Sequence, residues 1–322
     1  MTMLQIAQAS QSTLKQGIIE IIIETFPALS RIPFVSVPSL RYEWALRKLL
    51  PDSGFRALGA GFTDTNSTYD RGKIDLKALG GQFSLDRVQK DIPDLNMQRF
   101  YETELKARSM SASMSFKKFM VKGSVATDPA QFDGLQKYFD DGTLTEVEDM
   151  AAAGTTFTAL GGQGTVQKMH NFINRCIVTP DLILANRTII SNLAALAIST
   201  AANNVFAQYF QMSFMDIGNG RRISVGSFNG IPIVAMDTDS QGNEILSFTE
   251  KSADLSTSNN CSMYAITLGD NYFTALQQLD SGPSIMEFPN GSGHPTTALD
   301  WPTAIAVEHP RAVSRLRGIQ AA

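Results

Sequence analysis

The chain has 322 residues, of which 43% are hydrophobic and 18% are charged, so it can bury a sizeable core but carries few charges for a soluble monomer. Its net charge of −4 disfavours a sequence-specific DNA-binding protein, because no basic field covers the whole chain. The two cysteines, Cys176 and Cys261, are too few and too far apart for a disulfide framework or a metal cluster. The low charge is a weak indication of oligomerisation, and a polar, uncharged surface around a large core explains it equally well.

The N-terminal segment has the features of neither a signal peptide nor a membrane span. Residues 1–15 lack a basic region followed by an apolar one. The apolar run 18–23 is too short to cross a bilayer and contains Glu20. We therefore expect a soluble, intracellular protein with no membrane partner.

The first ninety residues predict short helices followed by a projecting hairpin. Residues 1–30 have the pattern of two helices, the second ended by Pro27, and residues 32–37 that of an extended connector. Alternating runs at 40–46 and 73–87 then predict two strands around a long polar segment. Such a hairpin cannot bury itself alone and is typically completed by a neighbouring molecule.

A long amphipathic helix is predicted next. Asp91 and Pro93 suit its first turn, no Gly or Pro interrupts residues 94–121, and Gly123 ends it. Its acids lie early and its bases late, which matches the helix dipole. The apolar side chains expected to pack into the core are Leu95, Phe100, Leu105, Met110, Met114, Phe116 and Met120.

Beyond Gly134, short strands and helices alternate, which is typical of an α+β fold. We predict strands at 143–147, 177–184, 262–268, 303–308 and 312–319, helices at 165–175 and 186–202, and a hairpin over 221–234 that turns at Phe228-Asn229-Gly230.

None of the motifs resembles an active site. Residues 161–165 lack the lysine of a phosphate loop. The sequence of residues 237–243 matches the first half of a calcium-binding loop, but Phe248 occupies the position of the bidentate Glu ligand. We therefore favour an exposed turn. The three histidines are widely separated, and the acid pairs 140/141 and 146/148 lie in loop-like sequence. We therefore expect no enzyme activity, no cofactor and no metal.

Several bases lie on the long helix, where they would make salt-sensitive, sequence-independent contacts with phosphates. Charges that merely solvate an exposed helix are an equally good interpretation. The candidate DNA-facing residues are Arg99, Lys106, Arg108, Lys117 and Lys118.

The order of these parts resembles that of tailed-phage major capsid proteins, which have the Hong Kong 97-like capsid fold. The resemblance covers nearly the whole chain and is one of layout. The phrases most like the family are Asp128-Pro129 through Leu135, after the long helix, and Arg315-Leu316-Arg317-Gly318-Ile319 near the end.

The resemblance implies a division into four parts. Residues 1–37 would be the N-terminal arm, 38–87 the extended hairpin loop that lies over a neighbouring subunit, 88–149 with 286–322 the peripheral domain containing the spine helix, and 150–285 the axial domain. The candidate inter-subunit residues of the loop are Phe55, Arg56, Phe62, Tyr69 and Arg71.

The resemblance also implies a function: pentamers and hexamers of the chain form an icosahedral shell around double-stranded DNA. Implied partners are a portal protein, a separate scaffolding protein and a decoration protein, with assembly in the host cytoplasm and residence in the virion. Three alternatives remain open: an encapsulin-like compartment with enzyme cargo, a tail or baseplate component, and a hydrolase that uses an unrecognised carboxylate pair.

Overall fold

The computed structural model describes residues 1–9, 12–49, 51–84, 97–198, 205–218, 220–278, 282–288 and 296–321. The helices in these ranges are α1 (Met3–Ala9), α2 (Thr13–Thr25), α3 (Met97–Lys122), α4 (Leu135–Asp140), α5 (Phe157–Asn174), α6 (Arg187–Ile198) and α7 (Phe206–Tyr209), with a 3-10 helix at Pro27–Ser30. None of the helices in the described ranges is long and apolar enough to span a bilayer.

The strands are β1 (Phe34–Val37), β2 (Arg41–Leu49), β3 (Thr68–Asp75), β4 (Lys77–Ser84), β5 (Val147–Asp149), β6 (Leu182–Ala185), β7 (Phe210–Gly218), β8 (Arg221–Phe228), β9 (Ile231–Ala235), β10 (Asn260–Ile266), β11 (Phe273–Gln278), β12 (Ser284–Phe288), β13 (Thr296–Val307) and β14 (Val313–Gln320). They form a five-stranded sheet, a seven-stranded sheet and the two-stranded hairpin β2–β3. The predicted α+β class is confirmed.

The N-terminal helices are part of the core. The Ser12 hydroxyl accepts a hydrogen bond from the backbone N–H of Lys15 and so caps α2, which ends just before Pro27 as predicted. Four isoleucines of α2, Ile18, Ile19, Ile22 and Ile23, lie on one face and are buried. Ser113 of α3 donates to the carbonyl oxygen of Ile22 across 2.8 Å, which fixes α2 against α3. Residues 13–37, predicted as part of an arm, therefore pack against the body of the same chain.

The five-stranded sheet is built around β13. One edge of β13 pairs with β4, and the other pairs with β12 and then β11; β1 adds to β11 in parallel. Its inner face packs on α3 through aromatic rings. Trp301 of β13 stacks on Phe116 of α3 with ring centroids 5.0 Å apart, and Phe34 of β1 lies 6.0 Å from Trp301. This aromatic contact joins three separate parts of the sequence into one core.

The long helix α3 ends where two glycines meet. The N–H of Gly134 donates to the carbonyl oxygen of Gly123 across 2.9 Å. A Cβ at Gly123 would lie 2.2 Å from the carbonyl oxygen of Phe132, so only glycine fits. Phe132 and Leu135 are buried, and the family-like phrase after the helix is an anchored turn. The predicted start of the helix at 91–94 lies outside the described residues.

The seven-stranded sheet has the order β5-β14-β10-β6-β9-β8-β7. The predicted hairpin between β8 and β9 is confirmed, and its turn residues Asn229 and Gly230 both have positive φ values, 51° and 80°. The sheet joins β14 to strands of the predicted axial domain, whereas β11 lies in the five-stranded sheet. The domain boundaries stay a prediction.

Several elements differ from the sequence prediction. Strands β7, β11 and β12 are not predicted from the sequence. The strand predicted at 143–147 is wrong except at its last residue, where β5 (Val147–Asp149) begins, and the strand predicted at 177–184 is confirmed only at its end, as β6 (Leu182–Ala185). The run predicted at 73–87 divides at Leu76 into β3 and β4, which belong to different sheets. On α3, Leu105, Phe116 and Met120 are buried as predicted, but Phe100 and Met110 are exposed. Leu95 lies outside the described residues.

Candidate assembly surfaces

The hairpin β2–β3 is paired from Arg41↔Asp75 to Leu49↔Thr68 and forms a sheet of its own. It is fixed to the body at its base. The N–H of Leu76 donates to the carbonyl oxygen of Leu40, and the Tyr42 hydroxyl donates to Glu308 of the body, both across 2.8 Å. Burial, followed by the hydrogen bond to Glu308, raises the pKa of Tyr42 to about 12. The hydrogen bond between Tyr42 and Glu308 therefore ties the base of the hairpin to the residue that follows β13.

One aromatic side chain covers the middle of the hairpin. Trp44 stacks on Tyr42 with ring centroids 5.8 Å apart and lies over its cross-strand partner Gly72. A Cβ at Gly72 would come within 2.3 Å of the Trp44 ring, so the glycine leaves the space that the indole occupies. This packing stabilises a hairpin that does not form a hydrophobic core of its own.

The tip of the hairpin, residues 51–67, exposes large apolar side chains. Phe55 and Leu58 are fully exposed, and Phe62 is 69% exposed. The guanidinium of Arg56 lies 5.1 Å from the Phe62 ring centroid and donates to the carbonyl oxygen of Ala60. The loop therefore has internal order although its apolar side chains face solvent.

The other two candidate loop residues, Tyr69 and Arg71, lie on β3, and both are exposed. The structure therefore brings the five candidates onto one projecting element. Single exposed apolar residues are common, but several on one projection mark a contact surface.

The candidate DNA-facing bases do not form one exposed face. Arg99 and Lys106 are exposed, and Arg108 is half-buried and pairs with Glu104 at 3.3 Å. Lys118 pairs with Asp239 at 2.9 Å. Lys117 is only 3% exposed, and burial lowers its pKa below the usual value. It therefore has almost no surface that a phosphate could contact.

Residues 237–243, whose sequence matches the first half of a calcium loop, form a turn that is stabilised by hydrogen bonds and ion pairs within the chain. The Asp239 carboxylate accepts backbone N–H groups from Gln241 and Asn243, both at 2.9 Å. The Lys118 ammonium, then these backbone donors, lower the pKa of Asp239 to about 2. Asp237 forms a bidentate pair with Arg187. Among the residues that the structure describes, no group of three or more acidic, histidine or cysteine side chains is arranged to bind a metal ion.

The acidic residues of the predicted pairs, 140/141 and 146/148, form ion pairs with basic side chains. Asp140 pairs with Arg315, and Asp141 pairs with Lys137. Partial burial opposes ionisation of Glu148, but hydrogen bonds from Arg175 and Lys168 outweigh it and lower its pKa below the usual value. A carboxyl held ionised in this way suits an ion pair better than a general acid.

A charged cleft between α3, α4 and β14 was not predicted from the sequence. Its volume is about 380 Å³, and its walls include Lys122, Lys251, Arg315 and Arg317. Arg315 is buried and pairs with Glu250 at 2.9 Å. Its guanidinium carbon also lies 5.8 Å from the Tyr264 ring centroid. The contributing residues come from distant parts of the sequence, so the closely spaced bases Arg315 and Arg317 are the one sequence feature that could have indicated the cleft.

Similar proteins were found through structure only. No protein-family model matches the chain, and no curated protein matches it in sequence. The capsid of a native GTA particle is 13% identical, with 93% of this chain and 90% of that chain covered and a TM-score of 0.59. A chain of Mycobacterium phage Ogopogo is 11% identical, with 89% and 90% covered and a TM-score of 0.58.

The holo-SrpI encapsulin complex from Synechococcus elongatus is also similar. Its chain is 10% identical to this one, with 90% of this chain and 86% of that chain covered and a TM-score of 0.58. Phage-type capsids and an encapsulin thus share one architecture with this chain over nearly its full length. The chain therefore has the Hong Kong 97-like capsid fold, as its resemblance in sequence layout predicted.

Proposed function

We propose that this chain is the major capsid protein of a tailed phage. Copies of it assemble as pentamers and hexamers into an icosahedral shell that encloses double-stranded DNA. The observation that carries this proposal is the projecting hairpin, whose tip exposes Phe55, Leu58 and Phe62 away from any core of its own chain. Head-to-tail contacts in rings need two different complementary surfaces on each copy, and a projecting element supplies one of them.

The proposal includes further partners and a location. A portal protein, a separate scaffolding protein and a decoration protein would complete the particle, which assembles in the host cytoplasm. Packaged DNA would meet the exposed bases of α3, Arg99 and Lys106, with Arg108 beside them. Lys117 is left out of this set because it is buried, and Lys118 because its ammonium pairs with Asp239.

Negative-stain electron microscopy of the full chain, expressed alone and with its neighbouring genes, tests the shell. We expect closed shells or rings of five and six copies. A monodisperse monomer under all conditions would overturn the proposal. The hydrolase alternative would then regain interest.

A matched deletion tests the hairpin. Replacing residues 51–66 by Asn-Gly keeps the β2–β3 pairing and removes only the exposed tip. We expect an unchanged melting temperature, because the tip is exposed, together with loss of shells. Normal shells from this variant would refute the role of the tip.

An encapsulin-like compartment is the second candidate, because the SrpI encapsulin has the same fold at a similar TM-score. The contents of purified particles separate the two functions. Nuclease-protected double-stranded DNA supports the phage capsid, and a stoichiometric protein cargo without DNA supports the compartment.

A further inference from the structure

The charged cleft has donors that the chain itself does not satisfy. Arg315 is fully engaged, since it donates to Ser262, Asp140 and Glu250. Arg317 uses Nε and Nη2 on Asp149, which leaves its Nη1 without a partner in the described parts of the chain. The remaining donors therefore belong to Arg317 and to the two lysines of the cleft.

Those two lysines are almost unengaged. Lys122 makes one hydrogen bond, at 3.3 Å, to the Ser247 hydroxyl. Lys251 has no hydrogen bond or ion pair with the residues that the structure describes, although it lines the cleft. Ammonium and guanidinium groups that converge on one cleft favour an oxyanion, because charge-assisted hydrogen bonds to carboxylates are short and strong.

A residue with a strained backbone lies at the rim of the cleft. Leu255 has a φ of 60°, in the left-handed region, and its side chain is 70% exposed. The loop holds it there. Its N–H donates to the carbonyl oxygen of Ser252, and the Asp254 carboxylate accepts the Ser252 hydroxyl and the backbone N–H of Ser256. Backbone strain of this kind persists where the surroundings enforce it, and it concentrates at binding sites.

The walls of the cleft disfavour nucleic acid as the ligand. Asp140 and Glu250 both pair with Arg315, so the positive charge left for a ligand is that of Lys122, Lys251 and part of Arg317. This small charge suits one or two carboxylates better than the many charges of a phosphate backbone. The exposed side chain of Leu255 also offers a surface on which an apolar side chain of a ligand can pack. A polypeptide segment that places a carboxylate next to an apolar side chain satisfies both requirements.

The tip of the hairpin is such a segment. Asp52 and Asp64 are exposed and lie within a few residues of the exposed Phe55 and Phe62. We propose that the charged cleft of one copy receives the acidic, aromatic hairpin tip of a second copy. Carboxylates of the tip pair with Lys251 and Arg317, and an apolar side chain of the tip packs on Leu255. This inference rests on the proposed shell function and gives the tip a receptor surface.

A direct binding measurement tests the proposal. A fluorescein-labelled peptide of residues 51–65 is titrated with the full, unassembled chain, and fluorescence anisotropy is read at low and high salt. We expect saturable binding that weakens with salt. Lys251→Gln should weaken it by roughly two- to fivefold, the loss expected of one partly exposed ion pair, and a peptide with Asp52→Asn and Asp64→Asn should behave similarly. Arg222→Gln removes an exposed base elsewhere and is the matched control.

A charge exchange tests the same contact in assembly. Lys251→Glu should abolish shells, and adding Asp52→Lys with Asp64→Lys in the same chain should restore them. Circular dichroism melting checks that each variant folds.

The outcomes separate this inference from the proposed function. Shells from wild-type chain, combined with no peptide binding and normal shells from Lys251→Glu, overturn the cleft as the receptor and leave the capsid function standing. Binding of a short DNA duplex in place of the peptide, sensitive to Lys251→Gln, overturns the polypeptide ligand. Absence of shells from wild-type chain under all conditions overturns both.

Discussion

Substituting Phe116 by alanine should remove the contact that joins the N-terminal segment, α3 and β13. The Phe116 ring is fully buried, stacks on Trp301 at 5.0 Å, and lies 6.2 Å from Phe34 and 6.0 Å from Phe132. Loss of a buried phenylalanine costs about 3–5 kcal/mol in unfolding free energy. We expect the upper half of that range, because each aromatic pair adds about 0.5–1.5 kcal/mol beyond the buried area.

The matched control lies on the same helix. Phe100 is 53% exposed, so Phe100→Ala should change the unfolding free energy by only about 0.5 kcal/mol. Denaturant and thermal unfolding of the unassembled chain, both followed by far-ultraviolet circular dichroism, measure the unfolding free energy and the melting temperature of each variant. A fall in melting temperature on the order of 10 °C is expected for Phe116→Ala and almost none for Phe100→Ala. Equal destabilisation by the two substitutions would refute the assignment of α3's buried face.

Three further perturbations test local contacts. Gly72→Val should displace the Trp44 ring and shift tryptophan fluorescence to longer wavelength, whereas Gly54→Ala, in open space, should leave the spectrum unchanged. Asp239→Asn should lower the unfolding free energy at neutral pH. The pKa of Asp239 is lowered from 3.8 to about 2 in the folded state, so the difference in unfolding free energy between variant and wild type should disappear as the pH falls from about 4 to about 2 in acid titrations. Lys117→Met should stabilise the chain by about 1 kcal/mol or more at neutral pH, because it removes a buried charge, and calorimetry should show the gain shrinking as pH rises toward 10.5.

The sequence predicts this fold best where local chemistry and burial agree. Pro27 ends α2 and Asn229-Gly230 forms the hairpin turn, since these residues favour backbone conformations that few others adopt. Gly123 ends α3 because a Cβ there would collide with the carbonyl oxygen of Phe132. The strands β11 and β12 escaped prediction because β11 is buried on both faces and has no alternation, and β12 is short.

The surfaces were predicted unevenly. The loop candidates share one hairpin because they are neighbours in sequence. The bases of α3 do not form one exposed surface, because the buried face of a long helix is determined by partners elsewhere in the chain. Lys117 is buried, and Lys118 forms an ion pair with Asp239. The charged cleft depends on four separate segments, and tertiary contacts alone assemble it.

The division of the hairpin's return strand at Leu76 has a mechanical consequence. Directly after the hairpin, β4 pairs with β13 over all eight of its residues, Lys77 to Ser84. A force applied to the tip therefore reaches the body through β4 and the full length of its pairing with β13. If the proposed assembly forms, tension applied to the tip by a neighbouring copy would pass through β13 to the stacked rings of Trp301 and Phe116, and so into the core of the subunit.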